Sequence, residues 1–197
     1  MTVGCYPGSF NPPTVAHLAI AAAARSACGL SRVDLVVSRV ALGKSGVEVP
    51  SFSDRVAVLT SVVGASGGWL GLVVSDAQLL VDLSAGYDVL VLGADKWAQV
   101  LDPVFYGGSA PRRDEAVASL PPLAVAPRGG VCVEVPRGLP PSSVVLDVGP
   151  AAAGVSSTAV RSEGRIEWMV PEAAAFDRLS GAWTDPVRYR SWSARRS

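Results

Sequence analysis

Lysine is almost missing from this 197-residue chain: of 17 basic residues only Lys44 and Lys96 are lysines. A genome that favours Arg codons accounts for the bias, and it makes the two lysines worth locating. Histidine occurs once, as His17. The three cysteines, Cys5, Cys28 and Cys132, lie far apart with no C-x-x-C pair, and they read as small buried hydrophobes in a reducing compartment. One His and no paired Cys leave a zinc enzyme without a ligand set. There is equally no Ser/His/Asp or Cys/His arrangement for covalent catalysis. Charge of one sign is not in excess either: 17 basic residues balance 17 acidic ones, so no global field points to nucleic acid or to a membrane. No apolar run reaches bilayer length, since the Ala-rich stretch 15–24 is short and holds His17, and the N-terminus lacks the basic region of a signal peptide. The expectation is a soluble cytoplasmic protein in which any anionic ligand is held by a local site. No metal-ligand cluster is expected.

What the chain does have is a high share of Val, Ala and Leu, with 49% hydrophobic residues, enough for a real core in a single α/β domain. Apolar runs at 2–6, 33–40, 69–75, 87–92, 123–126, 131–135 and 144–148 read as strands. They alternate with helical patterns at 15–28, closed by Gly29, at 54–63 with Ser53 as cap, and at 77–84. A helical turn follows 93–95, then a loop over 102–113. Strands that are apolar on both faces belong inside a helix-covered parallel sheet, so the predicted architecture is a doubly wound, Rossmann-like sheet. Residues 1–150 are expected to form its α/β core and 151–188 a small helical part, with helices from 156 and from 171. Residues 189–197 are expected to fray.

A parallel sheet binds ligands at the carboxyl ends of its strands. The first strand runs into Gly8-Ser9-Phe10-Asn11-Pro12-Pro13-Thr14-Val15-Ala16-His17-Leu18, a Gly/Pro-punctuated loop that opens a long helix. Backbone N–H groups and the positive end of a helix make such a loop a place for phosphate. Lys44 follows the second predicted strand, and Gly93-Ala94-Asp95 the fourth, so all three can line one crevice. Val155-Ser156-Ser157-Thr158-Ala159-Val160-Arg161 adds hydroxyls and a guanidinium, which reads either as an anion site or as an ordinary Ser/Thr cap with a solvated arginine.

These strings resemble the nucleotidyltransferase superfamily, within the adenylyltransferases that build NAD. Thr14 and His17 fall on the two polar positions of its T/H-x-x-H motif, with Gly8, Ser9 and Phe10 on the phosphate loop, and Ala16 replaces the usual glycine. Residues 155–161 are similar to its I-S-S-T-x-x-R motif, and Met169-Val170-Pro171-Glu172 to its V-P-x-x-V helix. The resemblance implies an adenylyltransferase that moves AMP from ATP, with Mg²⁺, onto a small phosphorylated metabolite. The implied acceptor is nicotinate or nicotinamide mononucleotide. His17, Thr14, Lys44 and Arg161 would carry catalysis. Gly8, Ser9, Phe10, His17, Gly93, Asp95, Ser156, Ser157, Thr158 and Arg161 would bind ATP, with Asp95 near the ribose. Arg55 matches a basic residue at the start of the next helix and also reads as structural. Asp95 reads equally as a helix cap, and Lys44 as a solvated loop residue.

The acceptor side is less marked. Ser75-Asp76-Ala77-Gln78-Leu79-Leu80-Val81-Asp82 departs from the Tyr-Thr-x-Asp-Thr-like segment usual in bacterial nicotinate-mononucleotide enzymes. Lys44, Trp97, Phe105 and Tyr106 are the acceptor candidates, the three aromatics either stacking on a pyridine or packing on the core. Arg112-Arg113 either meets an acceptor phosphate or faces water. Two alternatives stay open: transfer to a different phosphorylated acceptor, and nucleotide binding without turnover. So does a homo-oligomer.

Overall fold

The computed structural model describes residues 1–39, 49–127, 139, 140 and 142–196. Among them six strands form one parallel sheet: β1 Val3–Pro7, β2 Arg32–Ser38, β3 Leu70–Ser75, β4 Val89–Gly93, β5 Leu123–Ala126 and β6 Val144–Val145. Their order is β3-β2-β1-β4-β5-β6. The α-helices are α1 Val15–Ala27, α2 Phe52–Ala65, α3 Leu80–Leu83, α4 Ala94–Val100, α5 Ala110–Ala118, α6 Pro150–Ala153, α7 Ser157–Glu163, α8 Pro171–Ser180 and α9 Pro186–Ala194. This is the doubly wound α/β fold with a helical C-terminal part that the sequence predicts. The sheet is extended to one side of β1 by β2 and β3 and to the other by β4, β5 and β6, so the topological switch point lies at the loops leaving β1 and β4.

The strands alternate strictly between two cores. Tyr6, Leu35, Val37, Val91, Ala124 and Ala126 face one layer, and Cys5, Val36, Leu90, Leu92, Leu123 and Val125 face the other. On the first face the buried residues of α1 are alanines, Ala21 and Ala24 being fully buried, with Leu18 and Ile20 packed alongside. Val58, Leu59 and Val62 of α2 and Ala173 and Ala174 of α8 complete that layer. On the second face Trp97 and Val100 of α4 and Leu83 of α3 fill the space.

Several elements differ from the sequence reading. The cap of α2 is Ser51, whose Oγ accepts from the Asp54 N–H at 3.1 Å, and the helix begins two residues before the expected start. The expected helix over 77–84 shrinks to the single turn of α3. The expected loop over 102–113 holds a 3-10 turn, Pro103–Tyr106, and the start of α5. Each has a capping side chain, Asp102 or Ser109, with proline in its first turn, where a missing N–H costs nothing. The strand expected over 144–148 is two residues long. The expected strand 131–135 and Lys44 lie outside the described residues.

The tail expected to fray is helical as far as Ala194, the end of α9, with Tyr189 only 3% exposed. Ahead of it, the buried Asp177 carboxylate accepts from the Trp183 N–H (2.6 Å), the Thr184 N–H (3.1 Å) and the Thr184 hydroxyl (2.6 Å). Gly181 makes this turn at φ 77°, and a Cβ there would meet the Asp185 carbonyl at 2.8 Å. Only glycine fits.

Burial raises the Cys5 thiol from 9.0 to about 12, with Asp34 adding to the effect. The unfolded chain therefore releases this proton first as pH rises. The contribution of Cys5 to stability should be unchanged below pH 9 and fall between pH 9 and 12, by up to about 1.4 kcal/mol per pH unit. Urea denaturation of wild type and Cys5→Ala at pH 8 and 10 checks this, since the variant should lose that part of the slope.

Candidate functional site

The loop after β1 is built from the inside outward. The Gly8 N–H still donates to the Val36 carbonyl at 3.0 Å, extending the β1–β2 ladder by one bond. Phe10 then turns the chain with φ 42°, a left-handed conformation unusual outside glycine. Its ring folds back beneath Gly8, where an added Cβ would stand 2.9 Å from the ring. That close approach is why position 8 is glycine. The Phe10 ring is 1% exposed and meets Tyr6 edge-on at 5.4 Å and His17 at 5.1 Å. The Phe10 side chain is the floor of the loop and a wall for the imidazole.

Thr14 caps α1, and His17 stands at the third helical position, where a capping box ordinarily has Glu or Gln. The Thr14 N–H donates to His17 Nδ1 at 3.0 Å, and the Thr14 hydroxyl lies 2.8 Å from the same nitrogen. A backbone N–H can only donate, so Nδ1 is an acceptor and the neutral ring carries its hydrogen on Nε2. The helix start thus presents one fixed imidazole donor. Thr14 itself has no exposed surface, and its N–H and hydroxyl orient His17.

The second motif closes on the first across some 150 residues. Three successive loop carbonyls are taken by the C-terminal part. Arg161 donates to the Asn11 carbonyl, Ser157 Oγ to that of Pro12 at 2.8 Å, and the Val170 N–H to that of Pro13 at 3.2 Å. Thr14 and Met169 form an antiparallel bridge alongside. Trp183 Nε1 adds a bond to the Asn11 side-chain oxygen at 2.6 Å. Ser156 caps α7 by accepting from the Ala159 N–H at 3.1 Å, which leaves its own hydrogen to donate. Arg161 remains exposed, reaches Thr158 Oγ1 at 3.5 Å, and is lowered from 12.5 by partial burial while staying a cation at neutral pH.

From the other side, Arg55 of α2 donates to the Ser9 carbonyl at 3.3 Å. It is 7% exposed, its Nε has no partner, and burial lowers its pKa. Gly93 and the exposed Asp95 open α4 at the end of β4, beside the switch point. The structure therefore brings Gly8, Ser9, Thr14, His17, Ser156, Ser157, Thr158 and Arg161 together, and puts Gly93 and Asp95 at the neighbouring strand end.

The aromatic candidates separate. Trp97 is 1% exposed in the second core, so it offers no face to a ring, and truncating it would open a cavity costing about 3–5 kcal/mol. Phe105 and Tyr106 are half-buried on the 3-10 turn. Tyr106, Leu79, Val81, Arg112 and Glu115 line a shallow cavity of about 370 Å³. Arg113 is tied to the Leu101 carbonyl at 2.6 Å, whereas Arg112 is exposed. Among the described residues no cluster of His, Cys, Asp or Glu could hold a metal ion, and no helix is long and apolar enough to cross a membrane. Sequence reading missed Trp183 and Tyr189, which belong to no motif, and passed over Asn11, which stood within one.

A family model for cytidylyltransferase-like proteins matches residues 5–163. The chain belongs to this nucleotidyltransferase family. A relative from Salinibacter ruber, named "probable nicotinate-nucleotide adenylyltransferase", is 30% identical over 194 residues, spanning 88% of this chain and 92% of the relative. Solved structures of a Plasmodium falciparum nicotinic acid mononucleotide adenylyltransferase share the fold. The form complexed with NaAD superposes with a TM-score of 0.68 at 16% identity, covering 92% of this chain and 97% of that one. The form complexed with APC gives 0.65 at 15%, covering 92% and 96%. As a cytidylyltransferase-like protein the chain is an enzyme of the nucleotidyltransferase type, resembling the nicotinate-nucleotide adenylyltransferases.

Because His17 is the only histidine, its ring nitrogens can be observed without assignment. ¹⁵N NMR of the neutral imidazole should show hydrogen on Nε2 and a bare Nδ1. A dominant Nδ1–H form would contradict the Thr14 contact.

Proposed function

We propose that this enzyme transfers AMP from ATP to nicotinate mononucleotide, releasing pyrophosphate. The observation that carries the reading is the convergence, on one carbonyl-stitched loop, of the His17 Nε2–H donor and the Arg161 guanidinium at the carboxyl end of β1. Both are hydrogen-bond donors, one of them a permanent cation, in a crevice where a triphosphate would lie. The Salinibacter relative supports the acceptor.

In this reaction an oxygen of the acceptor phosphate attacks the α-phosphorus of ATP, the bond from that phosphorus to the bridging oxygen breaks, and pyrophosphate leaves. A phosphate monoester has its second pKa near 6, so about neutral pH the nucleophile is already ionised and no base is needed. Catalysis is then positioning and charge stabilisation. Gly8 and Ser9 would lie along the phosphates. His17 would donate from Nε2 to the α-phosphate oxygens, where negative charge builds. Arg161, with Ser156 and Thr158 beside it, would neutralise the departing pyrophosphate, and Lys44 would reach the triphosphate. Ser157 acts by fixing the Pro12 carbonyl. Asp95, exposed at the start of α4, would accept from ribose hydroxyls. Mg²⁺, a hard cation that keeps water ligands and binds through substrate phosphates, would arrive with ATP and add charge neutralisation.

The burial of Trp97 favours a second reading of the acceptor alone, in which a phosphorylated metabolite other than a pyridine nucleotide is used. With Phe105 and Tyr106 as the remaining partly exposed aromatic candidates, a panel of acceptors tests both. Pyrophosphate release with ATP, Mg²⁺ and nicotinate mononucleotide is the expected result. Release only with a different acceptor would sink the pyridine assignment, and binding of ATP with no release at all would leave a nucleotide-binding protein.

Substituting His17 separates its two duties. His17→Ala should lower kcat by about 10²–10³, the usual loss of one preorganised donor. It also strips the Thr14 N–H of its acceptor, at a cost of about 1 kcal/mol. His17→Gln keeps a capping-box side chain, and should recover the stability in urea denaturation with little of the activity.

A further inference from the structure

Phe10 holds a left-handed backbone conformation at φ 42° without being glycine, and such a residue stays there only when its surroundings over-determine it. Its two neighbours are each gripped from elsewhere. Ser9 is held by Arg55 through its carbonyl, and Asn11 by Trp183 through its side-chain oxygen. Both grips lead to the C-terminal segment. Trp183 is 2% exposed, and its place is set by the buried Asp177 carboxylate, which accepts from the Trp183 N–H. Arg55 sits in the first turn of α2, and that turn is pinned by Tyr189 of α9. The Ser51 N–H donates to the Tyr189 hydroxyl at 2.8 Å, and the same hydroxyl donates to the Asp54 carboxylate at 2.5 Å. Arg196 approaches the other Asp54 oxygen at 3.4 Å.

We propose that Trp183 and Tyr189 are positioning residues for adenylyl transfer: buried side chains that set the phosphate loop from both sides of Phe10 without touching nucleotide. This rests on the ATP reading of the loop given above. Each side chain is too buried to reach a ligand, at 2% and 3% exposure, so any effect on catalysis must pass through Asn11 or through α2 and Arg55. The loop's N–H groups and the His17 ring, which packs on Phe10 at 5.1 Å, move with that backbone. Displacing reacting groups by even about 1 Å costs up to about 10²-fold in rate.

Tyr189→Phe keeps its ring and deletes only the hydroxyl, while Trp183→Phe keeps an aromatic ring but removes the Nε1–H together with part of the buried indole. Measured on the full chain well below its melting temperature, each is expected to raise the KM for ATP several-fold and to lower kcat about tenfold. The KM for nicotinate mononucleotide should stay unchanged. A purely structural role predicts a different pattern: Vmax falling in proportion to the folded fraction, with the KM for ATP unaltered, and this would overturn the proposal. Combining Trp183→Phe with Asn11→Ala should add nothing to Asn11→Ala alone, and additive losses would count against the link. Calorimetric binding of a non-hydrolysable ATP analogue reads the same effect without an acceptor. If wild type binds the analogue but turns over no pyridine nucleotide, the acceptor reading fails while weaker binding by either variant still supports the clamp. Unchanged binding in both variants refutes it.

Discussion

Three consecutive carbonyls, those of Asn11, Pro12 and Pro13, accept hydrogen bonds from Arg161, Ser157 and Val170, and the site depends on these bonds. Pro12 and Pro13 have no N–H to offer, so this stretch cannot join a ladder of its own. Its carbonyls need outside donors, and an orphaned one would cost about 1–3 kcal/mol. The C-terminal part supplies a guanidinium, a hydroxyl and a backbone N–H. The same contacts that satisfy the loop bring the second motif against the first. Structural need and site assembly are one set of bonds.

That stitching works because the loop has a rigid base. β1 is central, paired to β2 and β4, with buried apolar residues on both faces, and the Gly8 N–H extends its ladder. The buried residues of α1 are alanines, and its first turn opens at the switch point. His17 replaces the Glu or Gln of a capping box, so the bond that starts the helix also fixes the tautomer of the imidazole. One residue caps with Nδ1, which leaves the ring hydrogen on Nε2.

The sequence and the structure part where tertiary contacts choose between roles that composition allows. Trp97 and Phe10 both stood in or beside motifs and had the chemistry of ligand contacts, yet both are core residues. A large aromatic next to a strand end gains more from burial than from waiting exposed for a ring. The turn and helix over 102–118 were signalled by Asp102-Pro103 and Ser109-Ala-Pro111, caps followed by proline, but the surrounding glycines read as loop. Tyr189 onward carried mostly polar and basic residues and read as frayed. It is ordered by Tyr189, whose hydroxyl finds Ser51 and Asp54, 138 and 135 residues away in sequence.

By itself the sequence determined the fold class and the family. Strand periodicity, helix caps and the two motifs are local patterns, and local patterns survive in one dimension. Only the tertiary structure decided which motif residues face outward, that Ser157 serves the loop, and that Trp183, Arg55 and Tyr189 hold it. Those roles rest on hydrogen bonds between residues that are strangers in sequence. A buried donor finds its acceptor only once the chain has packed, so no spacing rule could have announced them.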